Sequence, residues 1–143
     1  MVTTQVTSEN RSERSAERRL PRVLVVGSRM PFSPVFERLQ ESGRYNFNYI
    51  ALREVSPAFS RWRPSVVLLQ MPQEKEAAQD ALSCLKALKD EVPVVVMSTA
   101  ADMNLYLAAM TYGAFDYFTS YTPLDEISRM LDKAVHTGQK QAA

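Results

Sequence analysis

Three short runs of apolar, mostly β-branched residues constrain the fold of this chain more than any other feature. They are Val23–Val26, Val66–Leu69 and Val94–Met97. Each run is short and has no polar residue on either face, which is typical of strands that are covered on both sides. Segments with apolar residues at helical spacing lie between them. Strands that alternate with helices predict a parallel sheet with right-handed crossovers and helices on both faces.

Two weaker strands and five helices complete the predicted α/β domain. Residues 46–52 alternate as a strand, with Phe47 and Tyr49 facing one side, and residues 114–119 form the last strand. The helices are expected at about residues 31–42, 55–62, 74–89, 102–112 and 123–135. The second of them is the weakest, because Pro57 and Pro64 interrupt or follow it. The sequence therefore predicts one domain with a five-stranded parallel sheet between helices.

The ends of the chain differ in composition from the domain between them. Residues 1–20 are rich in Ser, Thr, Arg and Glu and have few apolar residues, so we expect a disordered leader. The folded domain is expected over residues 21–136, and residues 137–143 are expected to form a flexible tail. No apolar run is long enough for a secretory signal or a membrane span, which favours the cytoplasm.

Charge and composition exclude several classes of function. The net charge of +1 gives no basic surplus for binding the phosphates of a nucleic acid. The single cysteine, Cys84, lies in an apolar helical stripe and is expected to be a small core residue. The single histidine, His136, is expected at the end of the last helix, where a cation suits the helix dipole. Neither residue indicates catalysis.

Uncharged residues follow the predicted strands at the edge where open parallel sheets bind their ligands. These residues are Gly27, Ser28, Gln70, Ser98 and Ser120. No glycine-rich phosphate loop follows the first strand. The absence of carboxylates, bases and metal-ligand clusters at this edge predicts a protein that is not an enzyme and holds no metal or other cofactor.

The order of the sequence motifs resembles the receiver domain of bacterial two-component response regulators. The motifs are Arg22–Val26, Arg63–Leu69, Val92–Ser98, Tyr112–Tyr117 and a helix start at Pro123–Ile127. The resemblance runs from about Arg22 to about Val135. It implies a flavodoxin-like sheet with strand order 2-1-3-4-5 and a role in bacterial signal transduction.

The residues that carry the chemistry of receiver domains are missing. Receiver domains accept a phosphoryl group from a histidine kinase on an aspartate, and the resemblance places that acceptor on Gln70. It places the acidic pair that holds Mg²⁺ on Gly27 and Ser28, and the phosphate-contacting lysine on Ser120. A glutamine amide cannot form an acyl phosphate, and Mg²⁺ prefers carboxylate and phosphate oxygens. The resemblance therefore predicts a degenerate pseudo-receiver.

Two residues of the family's switch remain, and the resemblance also implies a contact surface. Ser98 holds the hydroxyl position at the end of the fourth strand, and Tyr117 holds the aromatic position in the fifth. The implied surface comprises the fourth helix, the fifth strand and the fifth helix. Its candidate anchors are Met103, Tyr106, Met110, Tyr117 and Tyr121, although Met110 and the neighbouring Leu105 are expected to be core residues.

The favoured hypothesis is a stand-alone pseudo-receiver that binds a partner protein of a signalling pathway without phosphorylation. It is expected to stand alone because the chain ends just after the last helix, and to be a monomer or a weak homodimer. No nucleic acid and no membrane is expected among its partners. Two alternatives remain open. One is a conventional single-domain response regulator in a phosphorelay, and the other is a flavodoxin-like domain that binds a small neutral ligand in the uncharged pocket.

Overall fold

The structure is a computed structural model that describes residues 20–27, 34–55, 61–98 and 102–142. Its strands are β1 (Arg22–Val26), β2 (Asn46–Ile50), β3 (Val66–Gln70), β4 (Val94–Ser98) and β5 (Asp116–Thr119). Its α-helices are α1 (Pro34–Glu41), α2 (Lys75–Leu88), α3 (Met103–Thr111) and α4 (Leu124–Ala142). A single 3-10 turn, Leu52–Glu54, follows β2.

All five strands form one parallel sheet in the order β2-β1-β3-β4-β5, which confirms the order that the resemblance to receiver domains implies. One row of aligned residues crosses the sheet through Tyr49, Val25, Leu68, Val95 and Asp116. The chain leaves β1 toward β2 on one side and returns to β3 on the other side. The strand order therefore reverses between β1 and β3, which is where open α/β sheets form their binding crevice.

The two faces of the sheet carry two separate cores. On one face Leu24, Val67 and Val96 pack with residues of α2 and α3, and on the other Val25 and Leu68 pack with residues of α1 and α4. Residues 23–26, 66–69 and 94–97 are all buried, none of them more than 3% exposed. Each fully buried aliphatic side chain of this kind contributes about 1.5–3 kcal/mol. The prediction that the three apolar runs are covered on both faces is confirmed.

The two longest helices follow the predicted apolar stripes. The five predicted core residues of α2 are all buried: Ala78, Ala81, Leu82, Leu85 and Leu88. On α4, Ile127, Leu131 and Val135 are buried, and Leu124 packs partly against the same core. Cys84 is half-buried against the core that α2 and α3 form with the sheet. Burial raises the pKa of its thiol, which agrees with a small core residue rather than a reactive thiol.

The described residues contain four complete α-helices where five were predicted, and Val55, Arg61 and Trp62, at the two ends of the remaining one, are also helical. The weakest prediction, residues 55–62, falls largely on residues 56–60, which lie outside the described ranges. The strand β2 ends at Ile50 rather than residue 52, because the chain turns at Leu52–Glu54. The predicted leader, residues 1–20, lies outside the described part of the chain except for Leu20.

The last helix is longer than its apolar stripe. It continues to Ala142, so His136 lies within α4 rather than at its end, and the predicted placement of this histidine was wrong. The flexibility of residues 137–143 stays a prediction. Within the described ranges, no helix is both long and apolar enough to cross a membrane.

Tyr45 connects the start of β2 to α4. It is buried, and its hydroxyl donates to Oδ1 of Asp132 at 2.5 Å. The other carboxylate oxygen of Asp132 accepts from Nη2 of Arg44 at 2.9 Å. Burial and the neighbouring Asp132 carboxylate both raise the pKa of Tyr45, because each disfavours the phenolate. The contact therefore requires a protonated Tyr45.

We expect the free energy of unfolding to fall as the pH rises above about 10. Burial raises the pKa of Tyr49 to about 12 and also raises that of Tyr45, against 10.0 for an unperturbed tyrosine. A group with a raised pKa in the folded state contributes its full stabilisation at any pH below its pKa in the unfolded state. That contribution is lost as the pH rises through its pKa in the folded state. Urea denaturation of the wild type and of Tyr49→Phe between about pH 9 and pH 12 measures this slope. The free energy of unfolding of Tyr49→Phe should fall less steeply with pH than that of the wild type. Tyr121→Phe, which changes an exposed side chain, should have the same slope as the wild type. Equal slopes in all three proteins would contradict the expectation.

Candidate functional site

The carboxyl ends of the strands bring four of the five predicted site residues to one edge of the sheet. Gly27 follows β1, Gln70 and Ser98 end β3 and β4, and Ser120 follows β5. The fifth, Ser28, lies outside the described residues. Backbone hydrogen bonds extend the ladder here, from the Ser120 amide to the Ser98 carbonyl oxygen at 3.1 Å and from the Gly27 amide to the Ile50 carbonyl oxygen at 3.0 Å.

The side chain of Gln70 lies directly against Gly27. A Cβ atom placed on Gly27 would be 2.7 Å from Oε1 of Gln70 and 2.8 Å from its Cβ, closer than real Cβ contacts come. Gly27 also has a φ of +143°, a conformation that glycine adopts without a steric penalty. In this conformation, position 27 has no room for a side chain. The space next to the strand-order reversal is therefore filled by the amide of Gln70.

The two residues assigned to the switch have different surroundings. Ser98 is a buried polar residue, 3% exposed. The ring of Tyr117 is half-buried against the core on the α2 and α3 side and meets the ring of Tyr106 edge to face, with centroids 5.6 Å apart and an interplanar angle of 82°. The backbone amide of Tyr117 donates to Oδ1 of Asp116 at 2.8 Å. Tyr117 is therefore held between the core and α3.

The helix α3 exposes more apolar surface than the sequence predicted. Its exposed large residues are Met103 (68%), Tyr106 (40%), Leu107 (54%) and Met110 (37%), which we call the α3 face. The expectation that Met110 is a core residue was wrong, whereas Leu105 packs partly against the core. Leu107 was missed because α3 contains no charged residue that would mark its solvent side. Beyond β5, Tyr121 is 82% exposed.

Comparison with known proteins identifies the architecture. No known family model matches the sequence. The chain is 31% identical over 93 residues to the DNA-binding transcriptional regulator NtrC of Klebsiella pneumoniae and 30% identical over 93 residues to NtrC of Escherichia coli K12. Each match covers 62% of this chain and 19% of NtrC, so the chain spans about a fifth of the length of the curated relatives it matches.

Solved structures cover most of the chain. The signal receiver domain of a putative Luxo repressor protein from Vibrio parahaemolyticus superposes with a TM-score of 0.69 at 14% identity and covers 86% of this chain and 95% of that domain. A response regulator from Thermotoga maritima superposes with a TM-score of 0.67 at 21% identity and covers 82% of this chain and 98% of that protein. The chain has the fold of a response regulator receiver domain. The strand order and the position of Gln70 at the end of β3 agree with that fold.

The residues at the carboxyl edge do not fit the Mg²⁺ ion that the receiver fold implies. Positions 27, 28, 70 and 120 carry no carboxylate. Among the residues that the structure describes, no group of three or more His, Cys, Asp or Glu side chains could hold a metal ion. Mg²⁺ prefers carboxylate and phosphate oxygens in octahedral geometry. Both the available donors and the close approach of Gln70 to Gly27 disagree with a magnesium site.

Millimolar Mg²⁺ is expected to leave the thermal midpoint of the wild-type chain unchanged within the error of the measurement. A ligand raises this midpoint only by binding the folded state, and positions 27, 28, 70 and 120 offer the ion no carboxylate. Differential scanning fluorimetry with Mg²⁺, and with Na⁺ at matched ionic strength, measures the effect. An increase that is specific to Mg²⁺ and is removed by Gln70→Ala would contradict the interpretation of this edge.

Proposed function

We propose that this chain is a pseudo-receiver: a receiver-fold signalling domain that binds a partner protein and does not accept a phosphoryl group. The observation that carries the proposal is Gln70, which ends β3 and lies against Gly27. Its amide is no nucleophile for phosphoryl transfer. Response regulators and receiver domains among the similar solved structures support a role in two-component signalling.

The α3 face supports protein binding as the output. Exposed apolar patches on a protein surface mark interaction sites, and interfaces are enriched in Tyr and Met relative to other surfaces. Here Met103, Tyr106 and Met110 lie on one helix, with Leu107 between them and Tyr117 in contact with Tyr106. A partner that covers this helix would remove these side chains from water. The proposal includes no catalytic turnover, no cofactor and no nucleic-acid partner.

The two alternative functions have less support at this edge. A conventional regulator in a phosphorelay needs an acceptor carboxylate, and position 70 does not provide one. A neutral small ligand needs space among the uncharged residues, and the side chain of Gln70 takes up the space next to Gly27. Binding of a partner protein requires neither feature.

Binding affinities of surface variants test the proposal. A partner captured on the immobilised wild-type chain from a bacterial lysate is purified and titrated by calorimetry against Leu107→Ser and against Gln79→Ala, an exposed position on α2. We expect Leu107→Ser to weaken binding about tenfold, the effect of about 1.4 kcal/mol, and Gln79→Ala to leave the affinity unchanged.

A phosphodonor provides the second part of this test. Acetyl phosphate with Mg²⁺ should change neither the affinity for the partner nor the intact mass of the wild-type chain. A covalent phosphoryl adduct on the wild type would contradict the proposal. An equal loss of affinity for the partner in Leu107→Ser and in the control Gln79→Ala would also contradict the proposal.

A further inference from the structure

We infer that Gly27 and Gln70 form a coupled pair that closes the receiver pocket sterically, so that a side chain at position 27 is excluded while position 70 carries one. The role of this pair in silencing the pocket rests on the proposed function. The coupling itself depends only on the geometry of the two residues. It adds a physical obstruction to the missing chemistry, because the chain's own amide takes the place next to Gly27.

The backbones of both residues are held by neighbouring strands. Val26 is aligned with Leu69, so Gly27 and Gln70 are the next residues along adjacent strands. The Gly27 amide donates to Ile50 of β2, on the side away from β3. The backbone around Gln70 is held on its other side, because the Met71 amide donates to the Met97 carbonyl oxygen of β4 at 2.8 Å. Moving the two backbones apart would press each of them against the neighbouring strand to which it is already hydrogen-bonded.

The steric conflict at position 27 has one flexible part and one fixed part. The contact of 2.7 Å involves Oε1 at the end of the Gln70 side chain, and a change of rotamer would relieve it. The contact of 2.8 Å involves the Cβ of Gln70, which side-chain rotation does not move. Every residue except glycine has a Cβ at this place. Shortening Gln70 to alanine therefore removes the first contact, and only glycine at position 70 removes both.

The positive φ of Gly27 adds a backbone penalty that is independent of Gln70. Any L-residue at φ +143° is strained even in open space. Gly43 offers a matched control for this penalty, because it has a φ of +69° and a Cβ placed on it would meet nothing within 4 Å. A glycine-to-alanine change at Gly43 therefore measures strain without collision.

A set of double-mutant cycles tests the coupling. The thermal midpoint is measured for Gly27→Ala in the wild-type background, in Gln70→Ala and in Gln70→Gly. We expect decreases of about 10 °C, about 7 °C and about 4 °C respectively, since about 1 kcal/mol shifts the midpoint of a domain of this size by several degrees. The change Gly43→Ala should lower the midpoint by about 4 °C in all three backgrounds.

Each outcome of the cycles is decisive. A graded recovery from Gln70→Ala to Gln70→Gly supports the coupling, and so does a Gly27→Ala variant that folds only together with Gln70→Gly. An equal effect of Gly27→Ala in all three backgrounds overturns it. So does failure of Gly27→Ala to fold in every background while Gln70→Gly and Gly43→Ala fold. These measurements involve no partner or phosphodonor, so their failure would leave the binding and labelling results of the proposed function unaffected.

Discussion

Gln70→Asp is expected to remain unlabelled by acetyl phosphate and Mg²⁺, although it restores a carboxylate at the end of β3. The new carboxylate would still lack acidic partners at Gly27 and Ser28 and a cation at Ser120. Mg²⁺ would bind poorly without those oxygens, and the charge of a transferring phosphoryl group would not be compensated. Intact-mass spectrometry after incubation with the phosphodonor measures the result. Efficient labelling would show that the remaining pocket is competent and would indicate a recently silenced regulator.

The same variant is expected to lose stability as its carboxylate ionises. A partly buried carboxylate without a counter-charge has a raised pKa in the folded state, so its destabilising effect grows as the pH rises above the unfolded value of about 3.9. The stability difference from Gln70→Asn, which has the same shape without the charge, should therefore increase by about 1 kcal/mol between about pH 4 and pH 7. Urea denaturation at the two pH values measures it. A difference that does not depend on pH would mean that the carboxylate finds a counter-charge at this edge.

Leu131→Ala is expected to cause the largest loss of stability among the variants considered, about 2–5 kcal/mol. Leu131 is 0% exposed and lies on α4, in the core that covers one face of β1, β3 and β4. Its truncation removes apolar contacts and leaves a cavity that the sheet cannot collapse to fill. The thermal midpoint should fall by about 10 °C or more, measured by circular dichroism.

An exposed leucine provides the control for that loss. Leu107→Ala shortens the same kind of side chain on α3, where it is 54% exposed, and should change the free energy of unfolding by no more than about 0.5 kcal/mol. The contrast separates leucines that hold the fold together from those available to a partner. A large loss of stability in Leu107→Ala would mean that the α3 face is part of the folded core and is not an interaction surface.

The sheet was predictable because its strands are unusually uniform. Val23–Val26 and Val94–Met97 have no polar residue, so a parallel sheet covered on both faces is the fold that satisfies them. The apolar spacing of α2 and α4 identified which of their residues are buried. Such patterns depend on residues close in sequence, and the structure confirms them.

The exposed side of α3 could not be predicted by the same reasoning. Its nine residues carry no charge, and Asn104 and Thr111 are the only polar ones, so the sequence pattern leaves most of the side that faces water unmarked. Its rotation is set by tertiary contacts, such as the burial of Ala109. The carboxylate of Asp102 caps the helix and accepts hydrogen bonds from the amides of Asn104 and Leu105. Because the sequence does not mark the solvent side of α3, Met110 was assigned to the core and Leu107 was overlooked.

The contact between Gln70 and Gly27 also could not be predicted from the sequence. The sequence indicates that position 70 carries an amide and position 27 carries no side chain. It does not indicate that one residue lies on the other, because that depends on the positive φ of Gly27 and the register of β1 against β3. The amide at position 70 could be seen in the sequence, whereas its contact with Gly27 could not be predicted.

The backbone conformation of Gly27 has a consequence for how easily this site could change in evolution. An aspartate that arises at position 27 would meet the Cβ of residue 70, whichever non-glycine residue stands there. A glycine at position 70 would remove that collision but would leave the strain of a side chain at φ +143°, so no single substitution at position 70 relieves both. A chain with an aspartate at position 27 and an unchanged residue 70 would therefore be less stable than this one. A carboxylate at position 27 would therefore need accompanying changes at more than one position of this edge.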